Sequence, residues 1–116
     1  MSDSNCLFCR IISGDIPGEF VHTDDRCVVI RDIKPQAPTH LLVIPRAHIE
    51  SLDKAASADE ATLGHLLLVA AKAARDAGLA AGGYRTVINT GAGAGQTVFH
   101  IHVHVLGGRS LTWPPG

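Results

Sequence analysis

Apolar and polar residues alternate through the last part of the chain. Ile101, Val103 and Val105 are separated by His100, His102 and His104, and Leu106 follows. A period of two predicts a strand, here Val98–Leu106, with its aliphatic side chains facing a core and its imidazoles in a row on the other face. β-Branched stretches predict further strands over Glu19–Thr23, Cys27–Arg31, His40–Ile44 and Tyr84–Asn89, with Asp24-Asp25 turning the first pair. Between Ser57 and Gly78 the period becomes helical. Ser57-Ala58-Asp59-Glu60 reads as a capping box, and Ala61–Ala77 has high helix propensity. Leu63, Leu66, Leu67 and Ala70 form its apolar stripe, and Gly78 ends it as the C′ residue. A short helix is predicted over Cys6–Ile12, stopped by Ser13-Gly14. Strands in hairpin order with one long helix and a short N-terminal helix predict an α+β domain with a mainly antiparallel five-stranded sheet.

The 116 residues suit a single domain, and 46% hydrophobic residues supply a core. Residues 1–5 are polar, carry no signal-peptide pattern and are expected to be disordered. A formal charge of −1 gives no electrostatic footprint for nucleic acid or for an anionic membrane, so neither is expected as a partner. His65, Lys72, Arg75 and Asp76 rule the long helix out as a membrane span. Three cysteines, an odd number, predict a reducing, cytoplasmic setting without a disulfide framework. Cys27 is expected to pack as a small apolar residue.

The histidine row carries the candidate chemistry. Same-face neighbours on a strand lie ~7 Å apart, which places the outer two rings ~13 Å apart, too far for one metal to hold all three. One metal can hold two, with further ligands from elsewhere. The other use is nucleophilic and acid–base catalysis, since neighbouring imidazoles disfavour each other's charge and stay nucleophilic near neutral pH. Upstream, Asn89-Thr90-Gly91-Ala92-Gly93-Ala94-Gly95-Gln96-Thr97 leads into the row. Its glycines suit either a flexible hairpin loop or a backbone cradle for phosphate. It is neither a Walker loop nor a dinucleotide fingerprint, because it enters a strand and not a helix. Cys6 and Cys9 form a Cys-x-x-Cys that supplies two of the four ligands a structural zinc needs.

His100-Ile101-His102-Val103-His104-Val105-Leu106 resembles the signature of the histidine triad (HIT) superfamily. Cys6-Leu7-Phe8-Cys9-Arg10-Ile11-Ile12, Asp32-Ile33, Pro35–His40, Val43-Ile44-Pro45, Gly95-Gln96-Thr97, Gly107-Gly108-Arg109 and the tail Trp113–Gly116 resemble its Hint branch, in order, over nearly the whole chain. The resemblance implies a single HIT domain over residues 1–116 with a HIT-like fold. It implies a purine nucleoside phosphoramidase that cuts the P–N bond of nucleoside 5′-phosphoramidates through a nucleotidyl-histidine intermediate. His102 would be the nucleophile, His100 and His104 would flank it, and His40 would complete the cluster. Thr97 stands where Hint proteins usually carry serine and keeps the hydroxyl that delivers a proton to the leaving amine. Asn89 and the backbone at Gly95 and Gln96 would hold phosphate.

Asp32, with Ile33 beside it, would accept from the ribose hydroxyls, while Leu7, Phe8 and Ile30 line the base slot. His104 is a position that is typically glutamine in the nucleotidyltransferase branch, so its retention implies hydrolysis. The resemblance also implies a homodimer, paired through Tyr84–Ile88 and Ala61–Ala77. In that dimer the tail 107–116 brings Trp113 to the partner's site. Cys6, Cys9, His48 and His100 would be the ligands of a structural zinc, with no cofactor needed for catalysis. Two other readings remain open: a nucleotide-binding adaptor with little turnover, and a metal-dependent hydrolase using the histidines as ligands. Ile30-Arg31 departs from the Phe-His pair common in Hint proteins and leaves the choice of base open.

Overall fold

The computed structural model describes residues 5–116. The disorder expected for residues 1–5 falls outside the described residues, apart from Asn5, which lies in a turn. Helix α1 spans Leu7–Ser13, followed by strands β1 (Phe20–Thr23), β2 (Cys27–Arg31) and β3 (Thr39–Pro45). Helix α2 spans Glu60–Asp76, and β4 (Tyr84–Val87) and β5 (Val103–Gly107) complete the chain. The five strands form one antiparallel sheet in the order β1-β2-β3-β5-β4. This is the expected α+β architecture, with both predicted helices in place.

Both faces of the sheet are covered, and the strand period of two sorts the core accordingly. Cys27 and Val29 of β2, Leu41 and Val43 of β3, and Val103 and Val105 of β5 pack under α2. The interleaved Val28, Ile30, Leu42 and Ile44 pack under Phe8, Cys9 and Ile11 of α1. Cys27 is fully buried, as its apolar reading requires, and burial pushes its thiol up to about 12.

The helices end where glycine permits a left-handed turn. Gly14 has φ 91° and donates its N–H to the Ile11 carbonyl; Gly78 has φ 79° and donates to Arg75. Two helical expectations need correction. The buried stripe of α2 is Leu66, Val69, Ala70, Ala73 and Ala74, whereas Leu67 is half exposed. A period of 3.6 leaves adjacent leucines at 66 and 67 competing for the core, and only the sheet decides between them. No Ser57 side chain caps the helix start. A 3₁₀ turn over Ser57–Asp59 precedes α2 there, and Asp59 reaches back to accept from the Ala56 N–H at 2.9 Å.

The histidine strand is shorter than its pattern. Pairing begins at Val103, and residues 98–102 run as irregular chain. The Ile101 N–H bonds to the Ile49 carbonyl at 2.6 Å, not to a neighbouring strand. Alternation persists regardless, with Ile101, Val103 and Val105 almost wholly buried. Among the described residues no helix is long and apolar enough to cross a membrane.

Candidate active site

Five imidazoles divide between two sites on the α1 side of the sheet. His102 and His104 line a cavity of about 560 Å³, with ring centroids 5.0 Å apart. His40 reaches them from β3. Its Nδ1 accepts the Gln36 N–H at 3.0 Å, which puts the ring proton on Nε2. That proton is donated to His104 Nδ1 at 2.8 Å, and Asp32 Oδ2 lies 3.4 Å from the same nitrogen. His104 therefore carries its own proton on Nε2. No sequence signal marks Gln36, because it acts through its backbone.

His102 has the opposite tautomer. Its Nδ1 lies 2.8 Å from the His100 carbonyl, which can only accept, so Nδ1 is protonated and Nε2 keeps its lone pair. No buried side-chain nitrogen among the described residues lacks a hydrogen-bond partner, so the unpaired Nε2 is open to the cavity. The Phe8 ring stands edge-on to His102, with centroids 4.9 Å apart, and fixes its plane. Burial lowers the pKa of both His102 and His40. It lowers His104 to about 4, helped by the neighbouring His102 and His40. All three are neutral at pH 7, as a nucleophile and its flanking donors need to be.

Much of the cavity wall is apolar. Leu7, Phe8, Ile11, Ile16, Ile30 and Ile33 contribute to its walls, which also include Asp32, Thr97 and Val98. Asp32 serves a turn as well as the cavity, since its Oδ1 accepts the Lys34 N–H at 2.9 Å. Sequence reasoning missed Ile11 and Ile16, whose spacing reads simply as helix core and linker.

The glycine loop is placed differently from a free amide cradle. Ala92–Ala94 closes as a 3₁₀ turn, and Gly95 and Gln96 donate their N–H groups to the carbonyls of Ala92 and Gly91. The buried Gln96 side chain pins the loop: Oε1 accepts the Gly91 N–H, and Nε2 donates to the carbonyls of Glu50 and Val98. Asn89 lies beside this turn, its amide nitrogen 3.8 Å from where a Cβ on Gly95 would stand. Thr97 is the loop residue that lines the cavity. Trp113 is 81% exposed and lies away from the cavity of its own chain.

His100 leaves the row for a second cluster. Its Nε2 donates to the Pro45 carbonyl at 2.7 Å, so Nδ1 offers a lone pair. That atom lies 3.3 Å from Cys6 Sγ, 3.5 Å from Cys9 Sγ and 3.2 Å from His48 Nδ1, and Cys9 Sγ lies 3.4 Å from His48 Nδ1. Zinc bonds of ~2.3 Å to sulfur and ~2.0–2.1 Å to nitrogen give tetrahedral edges of about 3.5 Å (S–N) and about 3.3 Å (N–N). The observed spacings fit, and the Pro45 carbonyl orients His100 as the outer partner of a metal-ligating histidine does. Burial raises the Cys6 thiol above its ordinary value, a cost that a metal cation removes.

A model of the HIT domain family matches residues 13–111. An uncharacterised HIT-like protein of Synechococcus elongatus is 54% identical over 110 residues, covering 95% of this chain and 96% of that protein. The crystal structure of a HIT family hydrolase from Legionella pneumophila superposes with a TM-score of 0.95 at 50% identity, covering 97% of this chain and all of that one. A HIT family hydrolase from Clostridium thermocellum gives 0.93 at 40% identity, covering 96% of each chain.

Proposed function

This chain belongs to the HIT domain family, its structural relatives include HIT family hydrolases, and on that premise we propose that it is a purine nucleoside phosphoramidase of the Hint type. One observation carries the proposal: His102 Nε2, unprotonated and fixed by the His100 carbonyl, opens into a cavity walled largely by apolar side chains. The purine fits between the leucine, isoleucine and phenylalanine walls, and Asp32 accepts from the ribose hydroxyls. The 5′-phosphate then lies against the histidines, where His104 Nε2–H and the Thr97 hydroxyl donate to its oxygens.

The reaction runs in two displacements. His102 Nε2 forms a bond to phosphorus as the P–N bond to the amine breaks, and the Thr97 hydroxyl hands the departing nitrogen a proton. His102 is now a cation, and its Nδ1–H bond to the His100 carbonyl strengthens with the charge. Water then attacks phosphorus, returns a proton to Thr97, and releases the nucleoside monophosphate and His102.

Cys6, Cys9, His48 and His100 hold a structural zinc in this reading. The metal supplies no step; it ties α1 to the segment that enters β5. The chain also pairs with a second copy through β4, an edge strand bonded only to β5, and the outer face of α2, where Leu67 and Leu68 are exposed. Trp113 then reaches the partner's cavity.

The test is mass spectrometry of the protein quenched during turnover of adenosine 5′-phosphoramidate. A nucleotidyl adduct is expected on the peptide bearing His102. The His102→Ala protein is expected to bind nucleoside monophosphate, form no adduct and lose turnover. Full turnover in that variant would refute the nucleophile.

A further inference from the structure

Thr97 separates two cavities. The catalytic one, of about 560 Å³, and a neighbour of about 770 Å³ share Leu7, Thr97 and Val98 in their walls. His48, Glu50 and Phe99 border only the larger one, and His102 and Asp32 border only the smaller. Nothing in the mechanism above uses the larger space.

Its chemistry is distinct. Glu50 is the one carboxylate in a wall without lysine or arginine. None of the ion pairs among the described residues involves it. Phe99 is 44% exposed and Leu7 43%, so two large apolar side chains face this space partly bare. The Glu50 backbone is held at both edges of the site. Its carbonyl accepts from Gln96 Nε2 at 2.8 Å, and the preceding Ile49 carbonyl accepts the Ile101 N–H. The carboxylate is thus carried on chain tied both to the glycine loop and to the segment that bears His102.

We propose that this second cavity is the leaving-group subsite, and that Glu50 selects phosphoramidates whose amine carries a further positive charge. The inference rests on the phosphoramidase reading. In a displacement at phosphorus the leaving nitrogen departs opposite the nucleophile. Thr97, which protonates that nitrogen, forms the wall common to both cavities. The organic substituent on the amine therefore passes beyond Thr97. There it meets a wall that combines apolar surface at Leu7 and Phe99 with the Glu50 carboxylate. An aliphatic amine ending in an ammonium group matches that combination of surfaces, whereas a carboxylate-bearing amine meets like charge.

The experiment compares two adenosine 5′-phosphoramidates of similar length, the N-butyl and the N-(4-aminobutyl) compounds. The readout is the ratio of kcat/KM for the charged over the neutral substrate. A ratio of about ten is expected, the size of one charge-assisted contact at a partly solvated site. It is expected to fall towards one in Glu50→Gln and below one in Glu50→Lys, and to shrink at high salt in the wild-type protein. Comparing the same ratio across proteins cancels the difference in amine basicity, and the thermal midpoint of each variant checks its fold. A ratio that does not change on substitution overturns the subsite and leaves the phosphoramidase reading standing. If the wild-type protein turns over neither compound, the phosphoramidase reading fails and this inference with it.

Discussion

Replacing His104 by glutamine should flatten the dependence of stability on pH. His104 titrates at about 4 in the fold against an ordinary value of 6.5, because it is buried and sits beside His102 and His40. A folded-state pKa lowered in this way means the unfolded chain takes up protons more readily between pH 4 and 6.5. Stability is therefore complete above 6.5 and is lost as the pH falls through that window. Between pH 7 and pH 5 the full shift corresponds to a loss of ~1.8 kcal/mol; the ring is half-buried and partly screened by water, which brings this to ~1 kcal/mol. Urea unfolding at pH 7 and pH 5, for both proteins, gives the two differences. The wild-type protein should lose ~1 kcal/mol more than His104→Gln on acidification. Equal losses would mean that His104 is not held neutral by its surroundings, and the account of the site as a set of uncharged imidazoles would fail at its flank.

Three other outcomes follow from the same structure. Chelation of zinc, or Cys6→Ser, should lower the thermal midpoint, because α1 loses its tether; any phosphoramidase activity that remains with the fold intact by circular dichroism marks the metal as structural. Leu68→Arg, at a residue 73% exposed on α2, should convert a dimer to a monomer in light scattering without loss of secondary structure. Leu66→Ala, at 1% exposure between α2 and the sheet, should cost roughly 2–5 kcal/mol in denaturant unfolding.

The parts of the fold that were legible in the sequence are those where local pattern and burial coincide. Strand β2 appears at the expected limits, Cys27–Arg31, because it is buried on both faces and bounded by turn residues. Gly14 and Gly78 end their helices because each takes a conformation that a Cβ disfavours. Other features depend on distant partners. The sequence reads His65 as a helix-surface or interface residue; in the fold its Nε2 bonds Asp24 Oδ2 at 2.8 Å across 41 positions, beside His22 on the same oxygen. The burial of Asp24 opposes its charge, but bonds from His22, the Arg26 N–H and His65 hold its carboxyl well below the usual range. No short window of sequence contains that hub.

The candidate site divides in the same way. Residues 100–104 announce themselves, but the period of two cannot say that His100 turns from its neighbours towards two sulfurs, nor that the N–H groups of Gly95 and Gln96 are spent within their own turn. Those outcomes follow from Pro45, Ile49 and Glu50, which lie some 50 residues upstream and whose carbonyls hold the segment in place.

Helix α1 has seven residues, fewer than an isolated helix needs to persist in water. Its position is borrowed from what it touches. The two thiols, Cys6 and Cys9, flank Phe8, whose ring stands edge-on to His102. Whatever anchors the sulfurs thereby also sets the Phe8 ring against His102, and neither contact can be adjusted by itself.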